Sequence, residues 1–380
     1  MANVAKVKKH HEPLVHISKR DDMPGWQAWL IRLGAILVGF FLMSVVLTSL
    51  CNASFDKVVT FGDVMERLKL SLFGRLFEGG TATQLWGFLQ KAAILLCLSL
   101  ALTPAFKMKF WNCGAEGQAL FGGLAAMVCM INFGGHLPES VLVPIVIIVS
   151  ILAGALWGFI PALFHAYYGT NETLFTLMMN YVATQLVWYS KFVYGGSSKV
   201  ITPVSTGALP VIGGQQYLLN VLTVVVLMVL MYVYLRYSKQ GYELSVVGES
   251  RNTARYIGIN VKKVVIRTML ISGAICGIAG MLLVAGTDHS INENTVGGQG
   301  FTAIMVSWLG QFNPFIIAAM AILVSGLQIG AAGVADRYFL NSAYADMMVG
   351  VVVLCLVACE FFIRYKIRIR HNSKKGGATA

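Results

Sequence analysis

Charge is what this 380-residue chain has least of: Asp, Glu, Lys and Arg together make up 12% of it, about half the usual share. Too few polar side chains are left to cover a water-facing surface, which excludes a soluble multidomain protein. Disorder is excluded over most of the length, because 57% of residues are hydrophobic and the mean hydropathy is +0.70. The seven cysteines form no CxxC, and no histidine stands at ligand spacing from them. They read as small buried hydrophobes, so neither a metal nor a cofactor is expected. GxxxxGK[ST], HExxH and GxSxG are all missing, and enzymatic chemistry has nothing to rest on. His165 and His289 stand alone, and His10 and His11 fall in a polar tail. The first 25 residues hold no apolar core of a cleavable signal.

What is present is a series of apolar runs. They lie near 30–50, 84–104, 113–133, 141–165, 172–190, 217–235, 264–286, 301–311, 314–333 and 345–363. Most approach the ~20 residues that a helix needs to cross about 30 Å of hydrocarbon. Asn313-Pro314 divides what would otherwise be one overlong run, because proline removes a backbone donor and disfavours helix just before it. The expected fold is an all-α polytopic membrane protein of about ten transmembrane helices.

The net charge of +12 is unevenly placed. Bases cluster in the N-terminal tail (Lys6, Lys8, Lys9, Lys19, Arg20), between Arg236 and Arg267, and from Arg364 onward, whereas 132–140 and 287–300 carry none. Beside apolar runs such clusters mark cytoplasmic loops and not nucleic-acid binding. Both termini are therefore expected in the cytoplasm. The organisation is a basic tail over 1–28, a membrane domain over 29–363 and a second basic tail over 364–380. Segment 55–80 is discordant, with Lys57, Arg67, Lys69 and Arg75 on the outer side. Val64, Met65, Leu68, Leu72 and Leu76 share one helical face, so it is expected to lie as an amphipathic insert in the lipid interface.

Polar groups inside apolar runs are expensive and mark function. One cluster is Asn112, Glu116 and Gln118 in NCGAEGQ; a second is Asn171, Glu172 and Asn180 in NETLFTLMMN. Glu116 has two readings: a carboxylate satisfied by backbone amides at a helix start, where the dipole favours negative charge, or a contact for a passing solute. Glu172 likewise suits a first helical turn. GGQGF, with Gln299, parallels GAEGQ ahead of another run, the pattern of an inverted internal repeat. Gly154/Gly158, Gly273/Gly277 and Gly326/Gly330 are GxxxG pairs that would let helices pack closely.

The loop 236–263 mixes charge with apolar residues, and Gly241, Gly248 and Gly258 punctuate two short helices within it. At this point the chain resembles the ABC-transporter inner-membrane permeases for nucleosides and simple sugars, relatives of the ribose-type permeases. The matching stretches are NCGAEGQALFGGLAA, AGALWGFIPALFHAYYGTNETLFTLMMNYVA, GYELSVVGESRNTARYIGI and GFTAIMVSWLGQFNP. Cys113, Ser307-Trp308 and the 55–80 insert depart from the usual pattern.

The resemblance implies a permease subunit of an ATP-driven importer in a bacterial cytoplasmic membrane. It would pair with a second permease, identical or not, above two ATPase subunits and below a solute-binding protein or lipoprotein. Coupling to the ATPase would fall to Gly241, Glu243, Gly248, Glu249, Ala254, Arg255, Gly258 and Ile259. The solute path or gate would involve Asn112, Glu116, Gln118, Asn171, Glu172, Asn180 and Gln299. A branched-chain amino acid permease of the same superfamily and a proton-coupled secondary transporter, with Glu116 and Glu172 as carriers, stand as alternatives.

Overall fold

The computed structural model describes residues 15–19, 24–54, 82–337 and 342–369, with the single positions 62 and 66. The 55–80 insert therefore lies almost wholly outside the described residues, as do 1–14 and 370–380. Among the described residues the named elements are helices apart from one two-stranded ribbon, β1 (Val15–Lys19) with β2 (Tyr365–Ile369), and loops join them. The helices are α1 (Gly25–Ser54), α2 (Ala82–Lys107), α3 (Ala115–Phe133), α4 (Glu139–Tyr168), α5 (Glu172–Tyr194), α6 (Leu218–Tyr237), α7 (Lys239–Glu249), α8 (Arg251–Tyr256), α9 (Val261–Leu283), α10 (Gln299–Leu309), α11 (Pro314–Arg337) and α12 (Ser342–Arg364).

Each apolar run of the sequence is a helix, but the count of ten spans is not exact. Among the described residues six helices are long and apolar enough to cross a membrane: α2, α3, α4, α6, α9 and α11. In α1 and α12 the apolar stretches are shorter, Leu30–Val46 and Val349–Ile363. The helix α5 is diluted by a polar stripe. At 11 residues α10 rises only about 16 Å, half the hydrocarbon thickness. It is a half-helix, closed by the turn that leads to Pro314 at the first position of α11.

The chain divides into two compact units, 66–345 and the pair 1–65 with 346–380. In the larger unit α2 and α9 are the central helices, with 72% and 78% of their most apolar windows buried, whereas α6 shows only 22%. The centre is packed through glycine. A Cβ on Gly158 would come within 2.8 Å of the Met269 carbonyl, and one on Gly154 would collide with the Gly273 carbonyl. On the other side of α9, a Cβ on Gly122 would lie 2.5 Å from the Gly277 Cα, and one on Gly280 would strike the Ala119 carbonyl. Two of the GxxxG pairs thus interlock with each other, and α3 closes on the same helix. Without a hydrophobic force between helices in lipid, this backbone-to-backbone contact supplies the dispersion energy. Gly326 differs, meeting among the described residues only the Phe88 ring edge at 3.7 Å.

In the smaller unit α1 lies against α12, where Gly39 admits the Val352 backbone to 3.1 Å of where its Cβ would be. Arg32 donates to Glu360 at 3.1 Å, the two side chains only 7% and 13% exposed. A charge this buried needs its partner. Beyond these helices the two tails pair antiparallel, with Val15 opposite Ile369 and Lys19 opposite Tyr365. Both strands fall within the segments 1–28 and 364–380 that the sequence marks as tails.

Candidate functional site

Two helix starts meet inside the larger unit, and Glu116 stands between them. It occupies the first turn of α3, and its carboxylate accepts from the backbone amides of Gly298 at 2.8 Å and Gly300 at 2.7 Å. Those amides are the open N-terminus of α10, so one carboxylate lies where two positive helix ends converge. Gly298 takes φ +74°, and a Cβ on Gly300 would lie 2.5 Å from the Glu116 amide nitrogen. The segments GAEGQ and GGQGF are therefore in direct contact. The amides that satisfy Glu116 belong to a distant helix and not to its own.

Around this junction the amide side chains are buried and mutually bonded. Asn112 Oδ1 accepts from the Gly114 amide at 2.9 Å and from Gln118 Nε2 at 3.2 Å, while its Nδ2 donates to Ser272 at 3.1 Å on α9. On α5, Asn180 Oδ1 accepts from the Gly117 amide and its Nδ2 donates to the Cys113 carbonyl, both at 2.9 Å. Thr176, one turn earlier, accepts from the Cys113 amide at 3.1 Å and donates to the Glu172 carbonyl at 2.7 Å. Glu172, Thr176 and Asn180 are four residues apart, and so they form one polar stripe that clamps the start of α3.

The remaining sequence-predicted residues sit apart from this junction or at its edge. Asn171 is exposed and caps α5 by accepting from Leu174 at 3.1 Å. Glu172 pairs with His165 Nδ1 at 3.2 Å on the far side of the α4–α5 turn. Gln299 is half-buried at the start of α10, and its Oε1 has no partner among the described residues. Loop 289–298, which feeds α10, is tied to α5 by Lys191 and Glu293 at 2.7 Å. The Lys191 ammonium beside it holds the Glu293 carboxyl below its ordinary 4.5.

Two outward faces flank the junction. At the start of α5 and in the turn before it, Thr170, Asn171, Leu174, Phe175, Met178, Met179 and Val182 line a shallow cavity of ≈ 370 Å³. On α10, Phe301, Met305 and Trp308 are exposed, and Trp308 stacks on Trp111 with centroids 5.4 Å apart. Trp111 and Cys113 lie between the two faces, since Cys113 is bonded to α5 while Trp111 stacks on α10.

The basic loop folds as a capped module. Ser238, Ser250 and Asn260 each accept a first-turn amide, from Gly241 at 2.9 Å, Thr253 at 3.2 Å and Lys263 at 3.2 Å. Leu244, Val247 and Ala254 are buried in one cluster with Ala105, Met108, Ala162 and Met269. Gly241 and Gly248 allow contact with the Tyr234 and Lys107 carbonyls, so their role is close packing. Glu243 pairs with Arg267 at 3.0 Å, and Ile259 packs at the margin of the same cluster. Glu249, Arg255 and Gly258 are exposed, the last at φ +83°. Tyr256 is 91% exposed and Ile257 55%, an apolar tip that the candidate list missed although both residues are plain in the loop.

Residues 84–357 match the family model described as branched-chain amino acid transport system / permease component. The glucose ABC transporter permease protein TsgB13 of Haloferax volcanii is 27% identical over 96% of this chain and 97% of its own length. The guanosine ABC transporter permease protein NupP of Bacillus subtilis is 30% identical over 73% of this chain and 81% of that protein. The nucleoside ABC transporter permease protein NupB of Lactococcus lactis is 26% identical over 90% and 92%.

Proposed function

Because the chain belongs to the family of branched-chain amino acid transport system permease components, we propose that it carries nucleosides or simple sugars as a permease subunit of an ATP-driven ABC importer. It is a transport subunit, and ATP hydrolysis belongs to separate subunits. Relatives named for guanosine, nucleosides and glucose span most of the chain, and that is the observation that carries the solute class. The junction agrees with it in chemistry. Asn112, Gln118, Thr176, Asn180 and Ser272 are uncharged, and its one carboxylate is already taken by backbone amides. A nucleoside or sugar is neutral and hydroxyl-rich, whereas an amino acid would ask for a cation to meet its carboxylate. This favours nucleosides and sugars over the branched-chain alternative. It also disfavours the proton-coupled one, in which Glu116 would have to release its partners.

The solute path runs along the α5 and α10 faces that flank Trp111 and Cys113, and a second permease closes it from the opposite side. The α7–α8 module, with the exposed Tyr256, Ile257 and Arg255, docks into a cytoplasmic ATPase. The base-free loop 289–298 lies on the side of the solute-binding protein, in a bacterial cytoplasmic membrane with both termini inside. A transporter reconstituted with its partners and ATP should accumulate labelled uridine or adenosine; accumulation of leucine alone overturns the assignment. Tyr256→Asp, at a site too exposed to disturb folding, should abolish stimulated ATP hydrolysis, and undiminished hydrolysis refutes the docking. Cysteines placed at 136 and 292 should react from outside. Reaction at 250 from outside reverses the topology.

A further inference from the structure

The mechanism so far uses neither His165 nor Arg251, yet the two join the docking module to the helix that clamps the junction. His165 lies in the last turn of α4, its ring edge-on to Phe110 with centroids 5.2 Å apart. Its Nδ1 is 2.8 Å from the Thr170 carbonyl and 3.2 Å from a Glu172 carboxylate oxygen. On the other side of the ring, Nε2 is 3.4 Å from an Arg251 guanidinium nitrogen at the start of α8. A carbonyl and a carboxylate can only accept, and a guanidinium can only donate. These partners therefore assign the tautomer: Nδ1 carries the proton and Nε2 offers its lone pair.

The turn that His165 bridges is also spanned by Phe164 stacked on Phe175 with centroids 5.2 Å apart, and the histidine adds a polar tie to α8. The turn consists of Gly169 at φ +67°, Thr170 and the cap Asn171, and the Thr170 hydroxyl is buried without a partner among the described residues. From Glu172 the polar stripe continues through Thr176 and Asn180 to the Cys113 and Gly117 backbone. We propose that His165 is a positioning residue that passes movement of α8 to α5, receiving it from Arg251 on Nε2 and delivering it through Nδ1 to Thr170 and Glu172. The packed glycine crossing of α4 on α9 keeps the ring's own base fixed, so that a shift of α8 is felt at the turn. The proposal rests on the reading of α7–α8 as the ATPase-docking module.

The test uses the complete transporter, reconstituted with its ATPase and binding-protein partners, and measures solute moved per ATP hydrolysed. His165→Leu keeps the bulk against Phe110 and removes both bonds. Hydrolysis should stay within about twofold while solute per ATP falls about fivefold, the lower end of coupling between sites. His165→Gln, which can both donate and accept, should restore most of that ratio. Arg251→Ala, at an exposed position that tolerates truncation, should lower the ratio to the same extent, and the double variant should be no worse than either single one. An unchanged ratio in His165→Leu, no rescue by Gln, or additive losses in the double variant would each overturn the relay. Should His165→Leu not assemble, Arg251→Ala alone decides. A failed docking reading shows itself separately, as normal stimulated hydrolysis in Tyr256→Asp.

Discussion

Glu116→Gln is the substitution on which the junction can be judged most sharply. The wild-type carboxylate offers one oxygen to each of two amides, Gly298 at 2.8 Å and Gly300 at 2.7 Å. Glutamine has the same shape but only one acceptor, so one amide is left facing an NH2 group in a buried place. A buried unsatisfied donor costs ~1–3 kcal/mol, and loss of the negative charge between two helix N-termini adds about 1 more. The sum, about 2–4 kcal/mol, shifts the equilibrium between docked and undocked α10 roughly thirtyfold to several hundredfold. Amide hydrogen exchange in lipid nanodiscs reads this directly, as lost protection over residues 298–302. Uptake should fall in parallel, while assembly with the ATPase persists because the docking module packs on Val264, Val265 and Met269 at the start of α9 and not on Glu116. Two results would refute the reasoning in different ways. Unchanged protection with normal uptake would make the carboxylate dispensable. Unchanged protection with lost uptake would mean that Glu116 meets the solute, the alternative its sequence position left open.

Asn180→Leu removes two of the three bonds that α5 makes to the α3 start, leaving that of Thr176, and should lower uptake without loss of membrane insertion; normal uptake would make the stripe ornamental. Gly154→Val drives a side chain into the Gly273 carbonyl and should lower the thermal midpoint as a 1–3 kcal/mol overpacking does, roughly. Gly326→Ala, with only a ring edge at 3.7 Å, is the control that should leave the midpoint unmoved. The Glu293 carboxyl titrates below its ordinary 4.5 when folded, because Lys191 donates to it. Its stabilisation is therefore complete above that value and is lost as pH falls through the lower folded one. Lys191→Met should lower the midpoint slightly at neutral pH, by about 1 kcal/mol or less. The difference from wild type should vanish in acid, and a difference that grew with acidity would contradict the pairing.

The helices were legible because lipid writes them in composition: an apolar run of crossing length has few other uses. Asn313-Pro314 was legible as a break for covalent reasons, since proline lacks the donor a continuing helix needs. Two of three GxxxG pairs packed as their spacing suggests, and Gly326 shows why spacing alone is insufficient, because the pattern says nothing of what lies opposite. Glu116 could be placed at a helix start, but its acceptors' partners are 182 and 184 residues away, beyond any local pattern. Thr176 was passed over because a helical threonine can satisfy its hydroxyl on its own backbone, as it does on the Glu172 carbonyl, although its place midway between Glu172 and Asn180 was open to inspection. His165 stood alone in sequence because its partners lie across a turn and 86 residues on, at Arg251. Arg32 and Glu360 were hidden by their distance apart in the chain.

These contacts divide the larger unit into parts that can and cannot move. Where α3 and α4 cross α9, backbone meets backbone, and a displacement of even an ångström forfeits dispersion with nothing to replace it. Such a crossing is a scaffold. The helices α5 and α10 approach the start of α3 closely at one glycine each, Gly117 against the Asn180 backbone and Gly300 against that of Glu116, and beyond those points they are held otherwise. Asn180, Thr176 and Glu116 fix them by a few directional hydrogen bonds, each worth about 1 kcal/mol net. Their outer faces carry exposed Met178, Met305 and Trp308 in place of an interlocked seam. Bonds of that kind break together and re-form in a second register at modest cost, which is what a gate requires and a packed seam forbids. The alternation of access should therefore fall on α5 and α10, turning against an α3–α4–α9 core that stays as it is.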